Sequence, residues 1–412
     1  MKIYEMSNQQ RIDYLVAQDI IDQEQADFLA KKQPLSEDLA NSLSENQLGI
    51  FGLPYGIATD FLINGKEYVV PMSIEEPSVI AAASNGAKRI KANGGFHVTT
   101  SQHIMYGQIV LEETSSEILQ KLEASQADII DAADQSRQSL LKRGGGVTSL
   151  TFEKVGDVTE ILLGVNTVDA MGANIVNSML ETIAPQISTL TGQNVLCAIL
   201  SNSGKSQLVQ AEARVKFADL QTKQMSGQEV AERIVRLTNF AKHSVMRSIT
   251  HNKGIMNGID AVLLATGNDF RAEEAAAHSF YAQDGYQPFS NWQIKDGQLV
   301  GTLELPIEIG SVGGAIKALP MAQLSLAIMN INNSQELQAV IGSVGLANNL
   351  SALRALVTTG IQAGHMSLQS KSLAVSAGAK GDEITEISKQ LNQSKEYTLE
   401  KASELLEKLR KQ

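Results

Sequence analysis

The sequence predicts an α+β fold containing a ferredoxin-like unit of the split βαβ type, not a Rossmann sheet, and ending in a small helical segment. Three observations predict it. Between about 104 and 205 the elements read β-α-β-β-α-β, the order of that unit. No G-x-G-x-x-G occurs anywhere, so a Rossmann nucleotide turn has no fingerprint. The final stretch, "DEITEISKQLNQSKEYTLEKASELLEKLRKQ", is charged, amphipathic and separable in composition from the rest.

The elements follow in order. Residues 1 to about 50 read as polar amphipathic helices, closed by the Gly/Pro-punctuated "SENQLGIFGLPYGIA". "DFLINGKEYVVPMS" places two β-rich runs around Asn64-Gly65, the strongest short-range hairpin signal. "EEPSVIAAASNGAKRIKANGG" has Pro77 at a helix start, carboxylates before it, small residues within and paired glycines after. "IMYGQIVLEE" is a strand, "SEILQKLEASQADIIDAADQSRQSLLKR" one long helix, and "VTSLTFEKVGDVTEILLGVNTV" two strands around a turn. A helix from "DAMGAN" and the strand "NVLCAILS" complete the unit. Helices follow near 227–250, then further strands and a helical region of small residues over 311–365. There "IGSVGGA" at 309 and "IGSVGLA" at 341 echo each other and predict close helix packing.

The chain's 412 residues suffice for two or three domains, and 43% hydrophobic with 19% charged residues describes an ordinary globular protein. A net charge of −11 argues against nucleic-acid binding while leaving room for a local basic pocket. The single cysteine, Cys197, lies in an apolar strand, is expected to pack as a small hydrophobe, and has no partner for an internal disulfide. The N-terminus lacks the apolar core of a signal peptide, and no apolar run reaches about 18 residues. A cytoplasmic protein outside the membrane is expected.

Familiar catalytic motifs fail. "SNSGKS" at 201–206 imitates the end of a P-loop but has Ile199 where the first glycine belongs. H-E-x-x-H and G-x-S-x-G are absent, and no metal site is expected. What remains is a set of small-residue stretches carrying isolated polar groups. "HNKGIMNGIDAVLLATGNDFR", from His251 to Arg271, reads as loop-like, with Gly254, Gly258 and Gly267 turning the backbone around Lys253. "DAMGAN", Asp169 to Asn174, joins a strand to a helix whose first N–H groups can receive a pyrophosphate. Glu76 precedes Pro77, and His365 follows a glycine just before the composition changes. Each also has an ordinary reading: a solvated lysine, a tight cap, a carboxylate at a helix terminus, a satisfied histidine.

In series, "EEPSVIAAAS", "DAMGAN", "THNKGIMNGIDAVLLATGND", "GSVGGAIKALPMAQLSL" and "TTGIQAGHMSL" span nearly the whole chain. In that order they resemble the class II 3-hydroxy-3-methylglutaryl-coenzyme A reductases, the soluble bacterial form. The resemblance implies a large substrate-binding and dimerisation domain over 1–103 and 206–366, interrupted by a small nicotinamide-cofactor domain over 104–205, with a C-terminal flap over 367–412. It implies Glu76, Lys253, Asp269 and His365 as catalytic residues. Ser78, Arg247, Asn202 and Asn257 match substrate-binding positions, and Asp169, Met171, Gly172, Ala173 and Asn174 the cofactor loop. "ENQLG", with Gln47 and Leu48, departs from the family's turn, and Asn85 and Gly86 stand where larger residues are common.

The chemistry so implied is NAD(P)H-dependent reduction of 3-hydroxy-3-methylglutaryl-coenzyme A to mevalonate and coenzyme A, through mevaldyl-coenzyme A and mevaldehyde, by a homodimer with interfacial sites. Lys253 would meet the oxyanion, Asp269 keep the lysine protonated and aimed, Glu76 protonate the aldehyde oxygen and His365 the leaving thiolate. A coenzyme-A thioester hydrolase or lyase and a silent acyl-coenzyme-A binder are the alternatives, neither of which needs "DAMGAN". Arg137, assisted by Lys142 or Arg143, stands where NADH-preferring members carry an acid. A preference for NADPH is expected, with NADH also possible, because a guanidinium pairs with a 2′-phosphate. The alternative is a helix-surface ion pair with Asp134.

Overall fold

The computed structural model describes residues 3–31, 35–282 and 285–411, with residues 361–368 described by their backbone alone. Three short helices open the chain, α1 (Asn8–Ala17), α2 (Gln23–Ala30) and α3 (Glu37–Leu43). The first two begin with capping boxes, Ser7 with Gln10 and Asp22 with Gln25, which satisfy orphan N–H groups reciprocally. The hairpin follows as β1 (Tyr55–Ile63) and β2 (Lys66–Ser73), joined by Asn64 and Gly65, both at positive φ as a two-residue turn requires. Next come α4 (Pro77–Lys91), with proline in its first turn, β3 (Phe96–Thr100) and β4 (Ile104–Leu111).

The stretch read as one long helix is three: α5 (Ser116–Ala124), α6 (Gln126–Gln135) and α7 (Gln138–Leu141). The backbone leaves helical geometry at Ser125 and again at Arg137, with φ −134° and ψ 52°. Then follow β5 (Gly146–Val155), β6 (Val158–Asn166), α8 (Ala173–Thr191), β7 (Val195–Ser201), β8 (Leu208–Lys216), α9 (Phe217–Leu220) and α10 (Gly227–His243). The chain continues through α11 (Val245–Thr266), α12 (Phe270–Phe280), β9 (Ser290–Lys295), β10 (Gln298–Pro306), α13 (Gly314–Ala318), α14 (Pro320–Met329) and α15 (Ser334–Val357). It ends in α16 (Ile361–Ser376), α17 (Asp382–Ser394) and α18 (Leu399–Arg410).

Two sheets organise these elements. The larger has six strands in the order β2-β1-β3-β8-β10-β9, antiparallel except where β1 meets β3. The smaller has the order β5-β6-β4-β7 and is antiparallel throughout. Four apolar clusters form. One joins the large sheet to α4, α10, α11 and α15, and a second joins the small sheet to α5, α6 and α8. A third ties α16, α17 and α18 together, and a fourth packs α1 and α2 on α14.

Every residue of α15 from Leu337 to Leu350 is buried, which is why the helix is apolar on all sides. Among the described residues it alone is long and apolar enough to cross a membrane, yet it is the core helix of the large unit. The stretch from His251, read as loop-like, is mostly helix α11, and two of its glycines lie mid-helix. At Gly258 the reason is close approach rather than a turn: a Cβ there would stand 2.1 Å from Asn348 Nδ2 on α15. Gly86 on α4 is as constrained, a Cβ lying 2.2 Å from the Ala347 carbonyl oxygen. The two echoing segments part company, since 341–347 lies within α15 whereas 309–312 is a loop.

Gly258→Val should therefore lower unfolding stability by about 1–3 kcal/mol through overpacking. Gly254→Ala, whose Cβ would meet nothing within 4 Å, should raise it by up to about 1 kcal/mol through helix propensity. Denaturant unfolding of the two variants beside the parent measures both, and equal stabilities would remove the close-packing account.

Candidate active site

Helix α11 presents Arg247, Lys253, Asn257 and Asp260. Lys253, Asn257 and Asp260 stand four and then three residues apart, so they share one face. Its roll is fixed by a buried polar knot: His251 Nε2 lies 2.7 Å from Ser290 Oγ and 3.1 Å from Asn349 Nδ2, and Trp292 Nε1 donates to Asn349 Oδ1. Burial, then the charge of Arg247, hold the His251 imidazole down at about 4, so it is neutral at physiological pH. Arg247 is half-buried and its Nε has no hydrogen-bond partner. A desolvated guanidinium in that state suits a carboxylate ligand.

Glu76 is the N-cap residue of α4 and accepts a hydrogen bond from Ser78 Oγ at 2.5 Å. Asp269 is the N-cap of α12, where its Oδ1 accepts from the backbone N–H groups of Arg271 and Ala272 at 3.0 and 3.3 Å. No hydrogen bond or ion pair joins Lys253 to Asp269 among the described residues, and the carboxyl whose ionisation Lys253 favours is Asp260. The side chain of His365 lies outside the described residues; its backbone belongs to α16.

The "DAMGAN" loop is held from two sides. Asp169 Oδ1 accepts from the Ser334 N–H at the start of α15, and its carbonyl oxygen accepts from Ser311 N and Val312 N at 2.9 and 3.3 Å. Ala170 bridges Val312, and the adjoining Gly310 N–H donates to Asn268 Oδ1 at 2.9 Å. Gly172 begins α8 with φ 105° and no side-chain cap; a Cβ there would lie 2.3 Å from Thr167 Cγ2. Met171 packs on the small-sheet cluster, Ala173 is the first helical residue, and Asn174 is exposed. An uncapped helix N-terminus approached only by glycine fits a pyrophosphate.

Arg137 lies in the break between α6 and α7, and its Nε is buried without a partner. The ion pair with Asp134 does not form, because Asp134 Oδ1 accepts from Val147 N–H at 2.8 Å. Cys197 is exposed on β7, at the edge of the small sheet, contrary to the expected packing. Its pairing strand β4 lies on one side only, and the strand's burial does not extend to this position.

Beneath these residues lies a set of acids that sequence reasoning missed. Glu308, just beyond β10, accepts from Gly204 N–H at 3.1 Å and so ties down the loop carrying the exposed Asn202. Glu273 accepts from the backbone of Glu308, and both carboxyls are almost wholly buried. Burial pushes Glu273 well up and Glu308 up to about 7. Asp260 is pushed up to about 8 by burial and by hydrogen bonding to Glu274, against the charge of Lys253. The signal was present: Asp260 falls two helical turns after Lys253, a spacing hidden when the stretch is read as a loop.

The family model of hydroxymethylglutaryl-coenzyme A reductase matches residues 7–370. A 3-hydroxy-3-methylglutaryl-coenzyme A reductase of Archaeoglobus fulgidus is 43% identical over 396 residues, covering 94% of this chain and 89% of that relative. A solved structure of the reductase from Streptococcus pneumoniae superposes with a TM-score of 0.83 at 41% identity and covers 99% of each chain. Another, the class II enzyme of that organism bound to NADPH in open conformations, has a TM-score of 0.83 at 40% identity. It covers 86% of this chain and 99% of its own.

The buried acids set a pH dependence. A carboxyl whose folded pKa is raised stabilises the fold fully below its unfolded value, and loses that contribution as pH rises through the folded value. For Glu308 the window runs from 4.5 to about 7. Stability measured by urea unfolding should fall across it, and Glu308→Gln should flatten the fall; parallel curves for parent and variant would remove Glu308 as the cause.

Proposed function

The chain belongs to the hydroxymethylglutaryl-coenzyme A reductase family, and from that premise we propose the residues by which it reduces 3-hydroxy-3-methylglutaryl-coenzyme A to mevalonate and coenzyme A. The observation that carries the assignment is the hydrogen-bonded bridge from Asn268, beside Asp269, through Gly310 to Ser311 and Val312, and on to Asp169. It ties the cofactor loop to the N-terminus of α12.

A reduced nicotinamide cofactor, when bound, supplies hydride to the thioester carbon and then to the aldehyde carbon. Asp169, Met171, Gly172, Ala173 and Asn174 hold it, the uncapped start of α8 taking the pyrophosphate and Arg137 a 2′-phosphate. Arg247 pairs with the carboxylate of the acyl group, with Ser78, Asn202 and Asn257 supplying polar contacts. Lys253 meets the oxygen on which negative charge develops, an interaction worth several kcal/mol once water is excluded. Glu76 gives the proton that turns the aldehyde oxygen into an alcohol. His365 protonates the leaving thiolate, a task suited to an imidazole acting as general acid.

The domain boundaries proposed are 1–103 with 206–366, 104–205 and 367–412; the separate apolar clusters of the large and small sheets support the first two, and α16 (Ile361–Ser376) runs across the last. We assign a homodimer with sites at the subunit interface. Its support is an apolar surface a lone chain leaves in water: Leu48 at 103%, Phe51 at 91% and Met246 at 84% exposure. Met246 adjoins Arg247, and Lys253 is exposed in the single chain, so a partner there would desolvate the site.

Mixed with the thioester and NADPH, the protein should oxidise cofactor as coenzyme A is released, followed by absorbance; thiol release without oxidation would assign a hydrolase. Lys253→Ala should cut turnover by about a hundredfold or more. Near-native turnover would remove Lys253 from the mechanism. Arg137→Asp should shift the ratio of kcat/KM values from NADPH toward NADH, and an unchanged ratio would remove Arg137 from cofactor selection.

A further inference from the structure

A line of titratable groups runs from the protein surface to the Lys253 face and has no part in the chemistry above. The Tyr286 hydroxyl lies 2.5 Å from His278 Nδ1. His278 Nε2 lies 2.7 Å from Glu274 Oε2, and Glu274 is hydrogen-bonded to Asp260. Asp260 shares a face of α11 with Asn257 and Lys253, whose charge acts on it. We propose that Tyr286, His278, Glu274 and Asp260 form a proton relay that resupplies the Lys253 face from solvent, an inference that rests on the reductase reading above.

The geometry suits transfer. His278 and Glu274 stand one helical turn apart on α12, and each keeps roughly a third of its side chain exposed, so the outer end meets water. His278 is stacked on Tyr286 with ring centroids 5.8 Å apart and lies 5.1 Å from Phe289, which fixes the ring. At the inner end two carboxyls share a hydrogen bond, which requires a proton on one of them. Burial keeps that proton in place, since Asp260 is pushed up to about 8. Among the described residues, the groups facing the relay are few. Asp260 faces Lys253 on its own helix and Glu273 and Glu274 on α12; Glu273 in turn faces Asp269 and Glu308. Tyr286 faces Glu274, His278 and the neutral Asn252, and burial keeps its hydroxyl protonated.

The proton count closes. Each aldehyde reduced to an alcohol places one proton on oxygen and leaves the group that gave it one short. Asp260 releases its carboxyl proton to the Lys253 face; His278 then gives its Nε2 proton to the ionised Glu274, which passes it on to Asp260. As Nε2 gives up its proton, Nδ1 takes one from the Tyr286 hydroxyl, which solvent reprotonates. The part-exposed Nε2 then takes a proton from water and Nδ1 returns its own to Tyr286, whose hydroxyl proton goes back to solvent, restoring the starting tautomer. One proton enters for each alcohol formed.

The test uses the full-length protein, mevaldehyde and NADPH, with His278→Ala and the near-isosteric Glu274→Gln. Both variants should lose at least about tenfold in kcat, with KM for mevaldehyde and for NADPH unchanged. Added imidazole should restore His278→Ala and not Glu274→Gln, whose block lies further in. Native kcat in both variants would overturn the relay, as would a loss that imidazole leaves untouched in His278→Ala. If the parent protein itself fails to oxidise NADPH with mevaldehyde, the reductase reading falls; if it succeeds while His278→Ala keeps its kcat, only the relay falls.

Discussion

How closely helices approach α15 decides where the functional side chains stand. An α-helix with ordinary side chains keeps its neighbours about 8–10 Å away axis to axis, and glycine at the contact shortens that distance. At Gly86 and Gly258 no side chain fits: the Ala347 carbonyl and the Asn348 amide occupy the space a Cβ would take. The first contact seats α4, whose N-terminus carries Glu76 and Ser78. The second seats α11, which carries Arg247, Lys253 and Asn257. Two helices that supply a carboxylate, a lysine and an arginine are thus referenced to one buried rod.

Acids under this frame are held where carboxylates rarely are. Glu273 and Glu308 are nearly inaccessible and Asp260 is largely so, each leaving one oxygen without a hydrogen bond. Burial of an ionised carboxylate is costly, and the usual response is to keep the proton. The raised values of all three follow from that response, with Lys253 opposing it only at Asp260. A site that must accept protons as it makes alcohol therefore sits above a store of them.

Much of this was legible in the sequence, and the failures share a cause. Asn64-Gly65 and Pro77 announced their elements through local rules, because turn dihedrals and helix starts are decided within a few residues. The α11 stretch did not, since glycine in a helix signals a turn locally and a close neighbour only in three dimensions. Reading it as a loop removed the helical period that places Asp260 beside Lys253. The break at Arg137 and the exposure of Cys197 were likewise invisible, the first because helix-forming residues surround it, the second because an edge strand's free side depends on sheet order. Glu308 and Gly204 are separated by a hundred residues and joined by one hydrogen bond; no window along the chain contains both.

The chain has one cysteine and one tryptophan. The exposed Cys197 sits on the rim of the small sheet, while Trp292 is sealed in the core of the large unit, its indole N–H held by Asn349. A thiol-reactive acceptor dye would attach at a single position, and the lone indole would serve as a fixed donor. The molecule thus carries its own spectroscopic ruler between the small sheet that leads into the Asp169–Asn174 loop and the body that bears Lys253, usable without altering a residue.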